Sequence, residues 1–376
     1  MIPHRNRDRM KYVLKPVLTA AFTLALASCG GGGKPASLQL QERLAASVAE
    51  GKILYGHQDD LVYGHAWKVE DVAGDPLERS DVRDVAGRFP AIVGFDLGAL
   101  ELGRSANLDG VPFALMCRAA LTHVQRGGIV TFSWHPWNPL TGTDAWGMPA
   151  GRAVASVLPG GENHEKFRLW LKAVGDLFDL LRDEEGERIP FIFRPWHEHT
   201  GSWFWWGRDH CTTEEYVALF RMTHDYLAVE RGMDNIVWCY SPGRESDEAM
   251  YMERWPGDDV VDLMGLDCYT YLGADGIEAA VAHYKEQVGG ALAYLTQLGR
   301  EHGKLICLSE TGFEGIPDPK WWTETLYPTI KDYPIAYVLT WRNSSEMPGH
   351  FYAPWKGFAH EADFKQFSEL EKITLL

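Results

Sequence analysis

Residues 190–198 read Pro-Phe-Ile-Phe-Arg-Pro-Trp-His-Glu, an apolar run that ends in polar side chains. Residues 305–310 read Leu-Ile-Cys-Leu-Ser-Glu and follow the same order, with an apolar run before a carboxylate. Short, almost wholly apolar runs are typical of strands that are buried on both faces of a parallel sheet. Both stretches therefore predict an α/β fold in which functional side chains follow the strands.

Eight such runs alternate with amphipathic stretches along the chain. The predicted strands cover residues 53–58, 90–97, 128–135, 190–197, 235–241, 261–269, 305–310 and 335–341. The clearest predicted helices cover residues 112–126, 163–184, 212–232, 276–303 and 319–332, and Thr212 with Glu215 forms a capping-box pattern. This alternation predicts a (β/α)8 TIM barrel that makes up a single catalytic domain. An open doubly wound sheet is the alternative, but residues 56–59 lack the glycine-rich turn of a dinucleotide site.

The first 28 residues predict a lipoprotein signal peptide. Basic residues precede an apolar run at 17–27, which is too short to span a membrane. The run ends in Leu26-Ala27-Ser28-Cys29, which resembles a bacterial lipobox and implies a lipid anchor on Cys29. Residues 29–36 are then the lipidated cysteine and a glycine-rich tether, and residues 37–376 the catalytic domain. We expect an extracytoplasmic protein on a bacterial membrane, at its periplasmic face or at the cell surface.

Composition limits the classes of ligand. Lysine and arginine number 36 against 52 aspartates and glutamates, and a net charge of −16 disfavours a nucleic-acid partner. The five cysteines after Cys29 lack zinc-like spacing, so we interpret them mostly as buried thiols and leave one disulfide open. We expect a monomer without metal or other cofactor. Fifteen tryptophans fit core packing, but they also fit a cleft in which indoles stack on sugar rings.

Two carboxylates follow predicted strands on opposite sides of the barrel mouth. Glu198 follows the fourth strand and Glu310 the seventh, and a glycosidase that retains anomeric configuration needs two such groups about 5–5.5 Å apart. One carboxyl must stay protonated while the other stays ionised. Arg194 and His197 are neighbours that would separate the two pKa values, and Tyr269 is placed to donate a hydrogen bond to Glu310.

Longer motifs carry a family resemblance. Residues 194–207 read Arg-Pro-Trp-His-Glu-His-Thr-Gly-Ser-Trp-Phe-Trp-Trp-Gly. Four further motifs are Ser-Trp-His-Pro at 133–136, Leu-Asp-Cys-Tyr at 266–269, Leu-Ser-Glu-Thr-Gly at 308–312 and Thr-Trp-Arg-Asn at 340–343. Together they resemble family 26 of the glycoside hydrolases, the retaining β-mannanases, over nearly the whole chain after the leader.

That resemblance implies roles for individual residues. Glu198 would be the acid/base and Glu310 the nucleophile. Residues that would bind substrate are His135, Trp146, Arg194, His197, Trp203, Asp267, Tyr269, Trp341 and Arg342, with Trp146 added as a stacking platform in the loop after the third strand. His199-Thr200 departs from the commoner family pattern and leaves the contacts to the leaving group in doubt. The pair His197 and His199 raises a metal site as a minor alternative, without a third ligand in view.

The implied activity is hydrolysis of β-1,4-mannosidic linkages in mannan, galactomannan or glucomannan by double displacement. Cleavage within the polysaccharide, that is endo action, is favoured, and release of mannobiose stays open. Residues 59–84 and 98–111 are the loops that could close one end of the cleft. The alternatives are a β-1,3-1,4-glucanase or β-xylanase of the same family, and an inactive, lipid-anchored glycan-binding protein. A metal-dependent hydrolase on the same fold is a further alternative.

Overall fold

Eight parallel strands close into a barrel in the computed structural model, which describes residues 34–69, 76–147, 151–243 and 247–376. Each strand pairs with the next along the chain, and the eighth pairs with the first. The predicted (β/α)8 barrel is thus confirmed. The strands are β1 Ile53–Gln58, β2 Ile92–Asp96, β3 Ile129–Ser133, β4 Phe191–Arg194, β5 Ile236–Tyr240, β6 Leu263–Thr270, β7 Leu305–Phe313 and β8 Ile335–Thr340.

Helices surround the barrel. They are α1 Ala36–Ala49, α2 Asp81–Ala86, α3 Phe113–Gln125, α4 Ala153–Val157, α5 His164–Phe178, α6 Thr213–His224, α7 Glu248–Met252, α8 Gly276–His302, α9 Tyr327–Ile330 and α10 Glu361–Ser368. The capping box is present, since Thr212 Oγ1 accepts from the Glu215 amide at 3.2 Å and the Thr212 amide donates to Glu215 at 3.0 Å. A two-residue strand, Ile373–Thr374, adds to β1, and Tyr63–Gly64 pairs with Trp67–Lys68.

Some predicted boundaries were wrong. The fourth strand was predicted to reach residue 197 but ends at Arg194, because Trp196 and Glu198 adopt φ values of 57° and 52°, which no strand accommodates. The helix predicted at 163–184 stops at Phe178, and the one at 212–232 becomes a π-helical turn over Asp225–Glu230. The helix predicted at 319–332 is a π-helical turn, Trp321–Leu326, followed by α9.

Two layers of apolar packing orient the strands. On β4, Phe191 and Phe193 face the helices, whereas Ile192 lies inside the barrel. Because side chains alternate along a strand, Arg194 also points inward. Leu40 and Leu44 of α1 pack against the interior residues. The Ser37 amide of α1 donates to the carbonyl of Asp234, just before β5, so α1 covers the end of the barrel at which strands begin.

A β-bulge on β7 changes the direction of Glu310. Along β6 and β7 the pairing runs from Leu266 opposite Leu308 to Asp267 opposite Glu310, so Ser309 is one extra residue. Cys307 faces the barrel interior and Leu308 the helices. Strict alternation would then send Glu310 outward, and the bulge instead lets Ser309 and Glu310 both face the mouth.

Residues Pro35–Leu376 form one compact unit. All five of its cysteines are buried, and no disulfide joins them. Within the part of the chain that the structure describes, no helix combines the length and apolar character needed to cross a membrane. The predicted signal peptide, the cleavage site at Cys29 and most of the tether lie outside the described residues.

Candidate active site

A cleft of about 620 Å³ opens where the barrel strands end. It brings together most of the predicted site residues, namely His135, Trp146, His197, Glu198, Trp203, Asp267, Tyr269, Glu310 and Trp341. These residues come from five strand ends and their loops, although the chain separates the first from the last by about 200 positions. The placement supports the expectation of one cleft with aromatic and acidic walls.

Glu310 lines this cleft and contacts the buried guanidinium of Arg194. Arg194, which is 3% exposed, donates one Nη2 hydrogen bond to Glu310 Oε1, and its Nη1 donates to Asp267 Oδ2 at 2.8 Å. The Tyr269 hydroxyl donates to Glu310 Oε2 at 2.5 Å, as predicted. Both oxygens of Glu310 are therefore hydrogen bonded, and the adjacent guanidinium stabilises negative charge on this carboxylate.

Glu198 occupies a different environment on the turn after β4. Its backbone is left-handed at φ 52° and is anchored by a hydrogen bond from its amide to the Ser241 carbonyl at 2.8 Å. Trp203 Nε1 donates to Glu198 Oε2 at 2.7 Å. A Cβ at Gly201 would lie 2.2 Å from the Trp203 ring, so glycine is required for this approach. A strained residue held by its surroundings is a frequent feature of active sites.

The surroundings of Glu198 change its proton affinity. Burial raises the pKa of Glu198 to about 7, and the neighbouring Glu310 charge adds to this effect. Hydrogen bonding from Trp203 and the charges of Arg194 and His135 act in the opposite direction. A carboxyl with this pKa is partly protonated at neutral pH and is suited to act as a general acid.

The separation of the carboxylates indicates the type of chemistry. Oxygen atoms of Glu198, Asp267 and Glu310 all lie within 4.8 Å of one another. The Glu198 to Glu310 spacing fits direct attack by one carboxylate better than the wider spacing that leaves room for a water. The three carboxylates could in principle hold a cation, but Arg194 already occupies Asp267 and Glu310. A metal would have to displace this buried guanidinium.

Two histidines extend the polar wall of the cleft. His135 lies after β3, with its Nδ1 2.6 Å from Asp96 Oδ2 and its Nε2 3.1 Å from His197 Nε2. Trp146, which is 46% exposed, stacks on the His135 ring at 5.1 Å between centroids. The indole thus presents an accessible flat face at the cleft entrance.

His199 does not share this wall. Its ring packs on Tyr216 and Tyr240, with centroids 4.0 Å and 4.9 Å away, and is fully buried behind the turn. A metal site at His197 and His199 would need both rings on one face of a strand, and the left-handed turn at Glu198 replaces the expected strand. The two histidines do not form a metal site.

Arg342 lies beside the main cleft. It lines a neighbouring pocket of about 410 Å³ and pairs with Asp109 at 3.2 Å. Tyr63 and Asp109, which come from the loops predicted as candidates for closing the cleft, also line this pocket. Arg194 was predicted to contact substrate. It instead lies under Glu310 and Asp267 and does not line the cleft.

Four aromatic lining residues were not predicted: Phe204, Tyr271, His350 and Tyr352. Phe204 belongs to the tryptophan-rich segment at residues 194–207, and that segment is the signal that points to it. Tyr352 and His350 come from the loop after β8, with His350 Nδ1 2.8 Å from Glu314 Oε1. Tyr271 follows β6 and is 57% exposed. Irregular loops offer no periodic signal by which such residues could be found.

A closed parallel barrel with paired carboxylates and indoles at its mouth defines the class of the protein, a glycoside hydrolase of the TIM-barrel type. The model of glycosyl hydrolase family 26 matches residues 41–307. The chain belongs to this family, which confirms the resemblance in the sequence.

Two similar proteins are named as mannanases. A mannan endo-1,4-β-mannosidase of Bifidobacterium adolescentis is 31% identical over 341 residues, which are 85% of this chain and 33% of that protein. A mannan endo-1,4-β-mannosidase of Bacillus subtilis strain 168 is 30% identical over 51% of this chain and 54% of its own. The chain thus spans about a third to a half of these relatives.

Alignments with solved structures cover larger shares of both chains. A family 26 β-mannanase from Bacteroides ovatus has a TM-score of 0.85 and 45% identity, with 91% of this chain and 95% of that chain covered. An endo-β-1,4-mannanase double mutant from Cellulomonas fimi has a TM-score of 0.78 and 29% identity, with 91% and 76% covered.

Proposed function

We propose that this protein hydrolyses β-1,4-mannosidic linkages of mannan, galactomannan or glucomannan with retention of anomeric configuration. The observation that carries the proposal is the pair Glu198 and Glu310, whose oxygens lie within 4.8 Å of each other, with Glu310 hydrogen bonded by Arg194 and Tyr269. The names of the similar proteins support mannan as the substrate.

In the first step Glu310 attacks the anomeric carbon. One of its oxygens forms a covalent bond to that carbon while the bond to the leaving glycosidic oxygen breaks. Glu198 gives its proton to the departing oxygen, so the leaving sugar departs as an alcohol. Arg194 and Tyr269 hydrogen bond to the two oxygens of Glu310 and so hold its carboxylate oriented before the attack.

In the second step Glu198 acts as a base. Its carboxylate takes a proton from a water, whose oxygen attacks the anomeric carbon and releases Glu310. The bond between the anomeric carbon and Glu310 breaks as the bond to the water oxygen forms, and its electron pair returns to Glu310, so Glu198 ends protonated and Glu310 ends as a carboxylate, as before the first step. Trp203 holds the Glu198 carboxylate in place through both steps.

The sugar-binding roles follow the lining of the cleft. His135, His197, Asp267, Tyr269 and Trp341 surround the carboxylates and are proposed to contact the sugar unit at the reacting centre. Trp146 and Trp203, both about half-exposed, supply indole faces for stacking. Arg342 would meet a more distant sugar, since its pocket lies beside the cleft.

The test is a time course of products from linear β-1,4-mannan, β-1,4-xylan and mixed-linkage β-glucan, resolved by chromatography. We expect mixed manno-oligosaccharides early from mannan, and no product from Glu310→Gln. Mannobiose alone from the first minutes would indicate chain-end attack. Products only from xylan or β-glucan would refute the mannan assignment, and binding without product on every glycan would support the glycan-binding alternative.

We also propose that the chain is exported, lipidated at Cys29 and held at a bacterial membrane as a monomer. The basic leader and the lipobox-like sequence before Cys29 support this location. In cells fed a labelled fatty acid, the wild type should carry label and sediment with membranes, and Cys29→Ala should carry none. Light scattering on the chain without its leader should give the mass of one chain.

A further inference from the structure

A chain of three buried side chains reaches from the end of β2 to the acid/base turn. Asp96 is 1% exposed, His135 5% and His197 1%. Asp96 Oδ2 lies 2.6 Å from His135 Nδ1, and His135 Nε2 lies 3.1 Å from His197 Nε2. Neither the cleft lining nor the proposed reaction steps include Asp96.

The first contact fixes one proton. A carboxylate oxygen only accepts hydrogen bonds, so His135 Nδ1 must carry hydrogen. Asp96 is kept ionised by further donors, with Ser133 Oγ at 2.7 Å from Oδ2 and the Gly98 amide at 2.7 Å from Oδ1. Both oxygens of the carboxylate are therefore hydrogen bonded, which fixes its orientation.

The second contact joins two ring nitrogens, of which one must donate. If His135 carries hydrogen on both nitrogens, its Nε2 donates and His197 holds its own proton on Nδ1. If His135 were neutral, His197 would have to donate from Nε2 and leave Nδ1 bare. The protonation of His135 thus selects the tautomer of His197.

We propose that Asp96 is a positioning residue for this site, which keeps His135 doubly protonated and so fixes the nitrogen on which His197 carries its proton. This inference rests on the proposed function only for its kinetic consequence. A fixed His135 cation also stands beside the reacting carboxylates, where its charge acts on Glu198.

Electrostatics of the surroundings agree with this geometry. Burial disfavours charge on both partners, yet the pKa of His135 is raised and that of Asp96 is lowered because they face each other. Glu310 and Glu198 also favour the charged form of His135, and Asp109 interacts at longer range. Burial, Arg194 and His135 lower the pKa of His197 well below its ordinary value, so this ring stays neutral.

Long-range 1H–15N spectra of the full chain with 15N-histidine test the inference directly. We expect both nitrogens of His135 protonated at pH 7 and His197 in the Nδ1–H tautomer, with assignments from His135→Gln and His197→Gln. A neutral His135 at pH 7 would overturn the inference. This readout needs no substrate, so it stands even if the proposed function fails.

Kinetics of Asp96→Asn provide the second test. Loss of a charge-assisted hydrogen bond should lower kcat/KM on mannan about 10- to 100-fold. Without the His135 charge, the basic limb of the pH profile should move to higher pH. Asp96→Glu keeps the charge and should keep that limb in place, which separates charge from packing.

A matched control is Asp363→Asn. Asp363 is a buried carboxylate on α10 that accepts a hydrogen bond from the Trp322 amide at 2.9 Å, away from the cleft. The Asp363→Asn substitution should leave the pH profile unchanged. An active Asp96→Asn enzyme with the wild-type profile would refute the inference, whereas an inactive wild type on all β-glycans would refute the proposed function instead.

Discussion

The Tyr269 hydroxyl lies 2.5 Å from Oε2 of Glu310, and Arg194 binds the other oxygen of the same carboxylate. This arrangement holds the proposed nucleophile at a fixed angle to the cleft while its charge stays balanced. Positioning of this kind lowers the entropic part of a reaction barrier. The hydroxyl and the guanidinium make separable contributions, which substitution can measure.

Tyr269→Phe should lower kcat about 10- to 100-fold, the effect of losing one hydrogen bond to a charged group. Steady-state kinetics on manno-oligosaccharides would measure it. Tyr333→Phe is the control, because the Tyr333 hydroxyl donates to the Gly289 carbonyl at 2.9 Å in the helical layer. Equal effects of both substitutions would show that Tyr269 has no special role.

The pKa of Glu198, raised to about 7, predicts the basic limb of the pH profile. Glu198 must be protonated to act as an acid, so kcat/KM should fall as pH rises through about 7. The Trp203 hydrogen bond lowers this pKa, and Trp203→Phe should therefore move the limb to higher pH. A limb that stays in place in Trp203→Phe would contradict the assignment of Glu198.

The same raised pKa has a consequence for stability. A carboxyl whose pKa is higher in the folded than in the unfolded state favours folding below its unfolded pKa, and this contribution is lost as pH rises through the folded value. Glu198→Gln should therefore be more stable than the wild type at pH 8 by about 1–3 kcal/mol, with little difference at pH 4. Denaturant unfolding at the two pH values would measure this. A wild type that is more stable than Glu198→Gln at pH 8 would contradict this prediction.

Arg194→Met should destabilise the fold by about 3–5 kcal/mol, because it leaves the buried carboxylates of Asp267 and Glu310 without their cation. Turnover should also be lost. Arg168→Met is the matched control, since its 2.7 Å pair with Glu230 is on the surface and such pairs contribute little. Similar losses of stability in the two variants would show that the buried network is not important.

The sequence was sufficient for the barrel and for the two carboxylates, because apolar runs and strand ends are local signals. It could not place Ser309 as a bulge, although that bulge directs Glu310 into the cleft. It left a metal site at His197 and His199 open, since nothing local shows that Trp196 and Glu198 are left-handed. Tyr352 and His350 were missed because tertiary packing of a loop, with no periodicity, brings them to the site.

Stereochemistry of the first product tests the central claim most directly. Oxygens of Glu198 and Glu310 lie within 4.8 Å of each other, a spacing that implies two successive displacements and hence net retention. Proton NMR during the first minutes of manno-oligosaccharide hydrolysis should show the β-anomer of the new reducing end before mutarotation. Initial appearance of the α-anomer would contradict double displacement through Glu310.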